Sequence, residues 1–195
     1  ARMTGVTLSH EQLAWAQQRL QNAGMQADLR LQDYRDIRDE PFDAIVSIEM
    51  LEAVGQAYWP TYFKTVHHLL KPGARACIQT IVIDDPLFER YIRGTDFIQQ
   101  YIFPGGCLPS PSKFKQAAEN AGLVVEQAHT FGRDYAHTLR LWRHDFMARR
   151  DEVLALGFDV PFIRTWEFYL AYCEAAFEQG NTDVVQYTLL RPEHA

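Results

Sequence analysis

The chain has 195 residues, enough for one good-sized domain with its own core, and a content of 47% hydrophobic and 13% aromatic residues excludes disorder. A net charge of −6 argues against a nucleic-acid binder that works through a general basic surface. Three cysteines, Cys77, Cys107 and Cys173, lie far apart with no CxxC pair, which fits a reducing compartment and gives no zinc spacing.

No stretch approaches the ~20 consecutive apolar residues of a membrane span, and the front of the chain carries no apolar signal-peptide core. Ala1 to Val6 begins without an initiating Met and leads almost directly into a helix, so the chain reads as starting inside a longer protein.

In chain order, Val6 and Leu8 form the tail of a short strand, and Ser9 caps a helix with Gln12 three residues on, as in a capping box. Leu13, Ala16, Leu20 and Ala23 recur on one face up to a Gly24 stop. An alternating strand, Ala27 to Leu31, is followed by the acidic turn Asp33-Tyr34-Arg35-Asp36. Phe42, Ala44, Ile45, Val46 and Ile48 then form a short apolar run, expected to be a buried strand, and place Glu49 and Glu52 where it must end. In open parallel α/β sheets ligands bind beyond the carboxyl ends of the strands, so these two carboxylates are either surface loop residues or part of a site.

Pro60 starts a helix whose apolar face is Tyr62, Phe63, Val66, Leu69 and Leu70, stopped at Lys71-Pro72-Gly73. Ala76 to Ile83 is a strand interrupted by Gln79 and Thr80. The aromatic-rich segment 84–111 breaks the alternation and reads as an insertion that caps a site, because linkers are seldom this apolar. Ser112 to Ala121 is a helix and Leu123 to Glu126 a strand. Two long helical patterns, about Thr138 to Leu156 and Phe162 to Gln179, precede a closing strand from Val184 to Leu190. This alternation is a doubly wound α/β pattern, and pattern alone does not name its ligand.

The stretch Glu49-Met50-Leu51-Glu52-Ala53-Val54-Gly55, with Tyr101-Ile102-Phe103-Pro104-Gly105-Gly106-Cys107-Leu108-Pro109-Ser110, resembles the cyclopropane fatty acid synthase family. The resemblance runs nearly end to end. It takes in Gly5 to Ser9 with Gln12, Gln32 to Asp36, Phe131 to Tyr135 with Thr138, Leu139 and Trp142, and Phe168 to Leu170 with Cys173. It implies a class I S-adenosylmethionine-dependent methyltransferase (Rossmann-like) fold, a single domain over 1–195 with a seven-stranded sheet whose last strand is antiparallel. The glycine-rich cofactor loop, its strand and an active-site cysteine would belong before residue 1. The implied reaction adds a carbon to the double bond of unsaturated acyl chains of phospholipids. It would take place at the membrane surface of a cytoplasmic enzyme, and a homodimer is compatible with it.

Such chemistry makes a carbocation-like species and then removes a proton, which needs a dry pocket and a base. The resemblance implies a bicarbonate ion as that base. By residue matching Glu52, Tyr135, the backbone of Ile81 and Cys173 belong to this site, and Gln79 stands where many bacterial members carry a His. A neutral amide can donate to an anion but cannot carry the imidazolium's charge. That Gln, with Glu49, resembles plant-type members and a related bacterial subgroup, and it opens the alternative of a methylene or methyl-branched product. A non-catalytic lipid-binding protein of the same fold is the other alternative.

From the residues alone, Glu52 reads as a helix N-terminal carboxylate, Tyr135 as a buried aromatic and Cys173 as core among Tyr169, Ala176 and Phe177. Glu49 reads only as a marker of the subgroup. For S-adenosylmethionine the resemblance implies Thr7 and Gln12 beside the ribose and methionine portion, and Asp33, Tyr34 and Arg35 near the adenine, where local chemistry alone makes them caps and turn formers. Phe97, Ile98, Tyr101, Ile102, Phe103 and Leu108 offer an apolar tunnel, and Arg90, Arg93 and Lys113 a local basic patch for headgroups. No metal site is expected, and His67 and His68 read as surface or core residues.

Overall fold

A computed structural model describes residues 1–193. They divide into two compact units, residues 1–41 and the remainder from Phe42.

The first unit is a small β–α–β turn. Strand β1 (Thr4–Thr7) pairs in parallel with β2 (Asp28–Leu31), Thr4 opposite Asp28 and Thr7 opposite Leu31. Helix α1 (His10–Asn22) connects them. Ser9 caps it by accepting from the Gln12 amide at 3.1 Å. The reciprocal half of the capping box is absent, because the Gln12 carbonyl takes the Thr7 hydroxyl at 2.7 Å and the Ser9 amide turns to Thr7 Oγ1 instead. Gly24, at φ +64°, follows the C-cap and makes the left-handed exit that a Cβ would oppose. Asp33 caps a single 3₁₀ turn, Tyr34–Asp36.

The second unit is built on a four-stranded sheet. Strand β3 (Phe42–Ile48) lies parallel to β4 (Leu70–Ile83). The last strand, β6 (Thr182–Leu190), runs antiparallel to both β4 and β5 (Val124–Thr130), giving the order β3-β4-β6-β5. The antiparallel last strand agrees with the expectation; among the described residues the strands form a pair and a quartet rather than one sheet of seven.

Helices α2 (Leu51–Val54) and α3 (Trp59–Leu69) link β3 to β4, and α3 buries Tyr62, Phe63, Val66 and Leu69 as its periodicity requires. Helix α6 (Pro111–Asn120) adds Phe114, edge-on to Phe63 at 5.1 Å and stacked on Tyr187 at 3.9 Å. These rings hold one face of the sheet closed. Strand β3 departs from its expected burial: Val46 and Ile48 are 68% and 63% exposed. Among the described residues of this unit it is paired on one edge only, and none covers the face those side chains occupy.

The segment after β4 forms α4 (Asp85–Tyr91) and α5 (Phe97–Tyr101), the latter started by a complete capping box between Asp96 and Gln99. The late helical region differs from its expected bounds. Helix α7 (Gly132–Ala148) begins six residues before Thr138, a short α8 (Arg150–Ala155) follows, and α9 (Val160–Glu178) completes the group. The early start has a physical cause: the Gly132 amide donates to Asp183 at 2.7 Å, and a Cβ there would lie 2.6 Å from that carboxylate oxygen. Only glycine lets α7 begin so close to β6. Ala136, Leu139, Leu170, Phe177 and Val184 then seal α7 and α9 onto the sheet.

Candidate active site

The site begins where β3 ends. Register places Ile48 beside Gln79 of β4, and the next residue, Glu49, has φ +50° while its amide donates to the Gln79 carbonyl at 2.8 Å. Among the described residues it is the only non-glycine with positive φ, a conformation costing roughly 1–2 kcal/mol for a residue with a Cβ. The bend turns the Glu49 carboxylate across the ends of the strands. There Oε1 accepts from Gln79 Nε2 at 2.8 Å and Oε2 from the Tyr135 hydroxyl at 3.0 Å.

Each donor is itself oriented. The Gln79 carbonyl oxygen accepts from Gln186 Nε2 on β6 at 2.9 Å, which fixes the amide with its NH₂ toward Glu49. Tyr135 stands in the first turn of α7, its ring 5.0 Å from that of Phe177. Burial first, and then the charge of Glu49, push its phenol well above the usual tyrosine range, so it is a hydroxyl donor throughout the working pH range.

Glu52 is set by a different device. The short helix α2 buries Leu51 and swings Glu52 toward β4, where Oε1 accepts from the Ile81 amide at 2.5 Å. Its other oxygen, Oε2, is buried without a hydrogen-bond partner among the described residues. Burial raises its pKa above the ordinary carboxylate value; the Ile81 amide opposes this, and the neighbouring charge of Glu49 adds to it.

Both carboxylates line a cavity of about 870 Å³. Its wall is mostly apolar, from Ile81 and Ile83 on β4, Ile98, Ile102, Phe103 and Leu108 in the 84–111 segment, and Tyr169, Cys173 and Phe177 on α9. Burial pushes the Tyr169 hydroxyl and the Cys173 thiol each up to about 12 and also raises the Cys107 thiol, so these groups stay neutral and act as apolar wall.

Of the six tunnel candidates four line the cavity, while Phe97 and Tyr101 do not: Phe97 packs edge-on against Phe168 at 4.7 Å and lies 5.3 Å from the Tyr101 ring. Of the basic candidates only Arg90 reaches the cavity. Arg93 pairs with Glu89 at 3.7 Å and Lys113 sits 5.8 Å over the Phe88 ring.

Glu52, Ile81 and Cys173 therefore share one cavity, and Gln79 and Tyr135 reach it through Glu49. Three participants escaped the sequence reading. From the sequence Glu49 reads chiefly as a subgroup marker, Gln186 carries no local signal, and Cys107 enters only by its lack of a metal partner and its place in the Tyr101 to Ser110 motif. His67 is partly buried on α3, and among the described residues no cluster of His, Cys, Asp or Glu could hold a metal.

The five cofactor candidates lie in the first unit. Thr7, the last residue of β1, and Gln12 of α1 form a bonded pair, with a hydroxyl and an amide suited to a sugar diol. Asp33 is held by Arg35 at 2.6 Å, and the Arg35 guanidinium lies 6.0 Å over the Tyr34 ring, whose face suits a planar base. That donor set fits an adenosine-containing ligand.

A bicarbonate ion is a poorer match. The Tyr135 hydroxyl and the Ile81 amide each have one proton to donate, and both protons are already given to carboxylates of the chain. Gln79 gives one of its two to Glu49. A further anion would bring a third negative group beside Glu49 and Glu52.

Comparison with known proteins gives a consistent picture. The family model described as mycolic acid cyclopropane synthetase matches residues 1–187. The chain is 44% identical to the tuberculostearic acid methyltransferase UfaA1 of Mycobacterium tuberculosis, over 98% of this chain and 45% of that protein. It is 37% identical to the cyclopropane-fatty-acyl-phospholipid synthase of Escherichia coli K12, over 97% of this chain and 47% of that protein. The chain thus spans about half the length of the curated relatives it matches. It superposes on the crystal structure of the mycolic acid cyclopropane synthase CmaA1 complexed with SAH and CTAB with a TM-score of 0.86 at 29% identity, covering 96% of this chain and 69% of that one.

Proposed function

The chain belongs to the mycolic acid cyclopropane synthetase family, and from that premise we propose that the protein containing it transfers a carbon from S-adenosylmethionine to the double bond of unsaturated acyl chains of phospholipids. Its fold is the Rossmann-like fold of class I S-adenosylmethionine-dependent methyltransferases. The observation that carries the reading is the 870 Å³ cavity, apolar over most of its wall yet bearing two carboxylates. An acyl chain is apolar except where its reaction develops positive charge, and this wall has the same division.

Thr7, Gln12, Asp33, Tyr34 and Arg35 would hold the cofactor, the first two at the ribose and methionine portion and the others near the adenine. Bound there, S-adenosylmethionine supplies an electrophilic methyl group, whose addition to an alkene leaves positive charge on the neighbouring carbon. The apolar wall keeps water from that carbon, which would otherwise be captured as an alcohol. Glu52 supplies fixed negative charge at low local dielectric, held in place by the Ile81 amide. Arg90, on the cavity wall, would meet the phosphate of a lipid headgroup. Among the described residues no helix is long and apolar enough to cross a membrane. On the family reading the protein would take its substrate from the membrane surface, from the cytoplasmic side.

A second product is favoured by one observation: the residue beside Glu49 is the neutral amide of Gln79, where the resemblance to many bacterial members implies an imidazole. Proton loss from an acyl-chain carbon instead of the added methyl group would leave a methyl-branched alkene, a 1,2-hydride shift followed by proton loss from the added methyl would leave a methylene branch, and a saturated methyl branch would further require a hydride donor.

The test is to give full-length protein labelled S-adenosylmethionine and membranes containing monounsaturated phospholipids. A gain of one carbon in the acyl chain is expected by mass spectrometry, and the product's NMR spectrum separates ring from branch. No gain, with cofactor binding intact, would leave a lipid-binding protein of the same fold.

A further inference from the structure

If acyl chains are alkylated here, something in the cavity must remove a proton, and few groups in the wall can do so. Tyr169 and Cys173, pushed up to about 12, do not ionise near neutrality, nor does Tyr91, which burial also pushes up to about 12. Asp96 has Oδ1 tied to the Gln99 amide as the cap of α5. Glu52 has one oxygen spent on the Ile81 amide and the other shut away from solvent. Glu49 combines a carboxylate on the cavity wall, aimed by two neutral side-chain donors, with open acceptor sites. A carboxylate has about four lone-pair positions, and Gln79 and Tyr135 fill one on each oxygen.

The construction around Glu49 is elaborate for a residue of no use. Its backbone sits in the left-handed region, its amide is tied to Gln79, and the Gln186–Gln79 relay and Tyr135 hold its carboxylate from two sides. Backbone strain of this kind persists where the surroundings over-determine it, and it concentrates at functional sites. Both donors are neutral, so they orient the carboxylate without pairing its charge.

We infer that Glu49 is the catalytic base of this site, its carboxylate standing where a bound bicarbonate would otherwise have to serve. The inference rests on the alkene-alkylation reading above. In the step it performs, a C–H bond of the added methyl group breaks and the proton passes to a Glu49 oxygen, leaving a neutral acid. The electron pair of that bond closes a C–C bond onto the cationic carbon. Charge is balanced, and no oxidant or reductant enters. Gln79 and Tyr135 are positioning residues for Glu49.

The experiment compares full-length wild type, Glu49→Gln and Glu49→Gly in buffer stripped of carbon dioxide, with and without added sodium bicarbonate. Glycine suits the +50° backbone, so Glu49→Gly removes the carboxylate without strain, and its melting curve confirms folding. Wild type should turn over without bicarbonate and show no bound ¹³C-bicarbonate by NMR. Both variants should lose roughly a hundredfold or more in turnover with cofactor affinity kept. Bicarbonate or formate should restore Glu49→Gly, where space has opened, and not Glu49→Gln, where the amide fills it. Wild type that binds ¹³C-bicarbonate and stops without it would overturn the inference, as would a Glu49→Gln enzyme that still turns over. If wild type adds no carbon in any buffer, the alkylation reading fails instead. The NMR comparison then still decides whether the carboxylate excludes the anion, since only Glu49→Gly should bind it.

Discussion

Adjacent residues of α9 face two carboxylate sites of opposite character. Cys173 looks into the cavity that holds Glu49 and Glu52, whereas Glu174, 7% exposed, looks toward α7. There Arg140 donates to one Glu174 oxygen at 2.8 Å, Arg143 donates to the other at 3.1 and 2.9 Å, and Arg140 extends the network to Glu178. Burial alone would raise the Glu174 pKa, but the two guanidiniums outweigh it and hold the carboxyl below its usual range. In the cavity the recorded partners of Glu49 and Glu52 are an amide side chain, a phenol and a backbone amide, all neutral, and Glu52 moves upward instead. A buried carboxylate met by cations is a brace between helices. One met only by neutral dipoles keeps its charge available for something that arrives later.

The largest effect should come from removing the uncompensated charge. Glu52→Gln is expected to lower turnover about a thousandfold, roughly 4 kcal/mol, while cofactor affinity stays within about tenfold, roughly 1.4 kcal/mol. Its melting temperature should hold or rise, because the folded state is relieved of a buried charge. Equal losses of turnover and affinity would make Glu52 structural.

The mirror-image variant is Glu174→Ala, which strands two guanidiniums. Arg140 and Arg143 are half and one-third exposed and water can solvate them, so a loss of about 1 kcal/mol in stability is expected in denaturant titration, with turnover per folded molecule nearly unchanged.

The two sites should also give opposite pH slopes. Glu174, lowered in the folded state, adds stability that is present above the ordinary value of 4.5 and is lost as pH falls below it through the folded value. Glu52, raised in the folded state, binds its proton more tightly when folded, so its effect is a loss of stability as pH rises through 4.5 toward the folded value. Melting curves from about pH 3 to 6 on each Glu→Gln variant separate the two slopes. Slopes of the same sign would remove the distinction.

The elements were legible because they rest on local signals: Ser9 and Gly24 at the ends of α1, the apolar face of α3, and the alternation in β6. The start of α7 was not, because it depends on Gly132 meeting Asp183, 51 residues away. The same limit hid the site. Glu52 could be chosen through resemblance, but Glu49 acquires its role from Gln79, Tyr135 and Gln186, which only the sheet register and the α7–α9 packing bring together. Its positive φ carries no mark in the residue type, since Glu is not a residue that announces a left-handed turn. The exposure of Val46 and Ile48 was equally invisible, because an apolar run states what a strand could bury and not what lies over it.

The smallest change tests whether the cavity can be converted to the other kind of site. Gln79→His would place an imidazole where the amide now donates to Glu49 Oε1 at 2.8 Å. The carboxylate should keep that imidazole charged to a higher pH than a free histidine, and a charged partner would compete with any substrate cation for Glu49. Turnover should therefore fall by about tenfold near pH 6 and recover toward pH 8 as the imidazole loses its proton. The stability change has the matching sign: a gain present below the histidine's unfolded value of about 6.5, lost as pH rises through its higher folded value. A pH–rate profile set beside the wild type's is the measurement. A variant as fast as wild type at both ends would mean that neutral partners are incidental to this site. A drop confined to low pH would mean that the absence of a cation beside Glu49 is what keeps its carboxylate active.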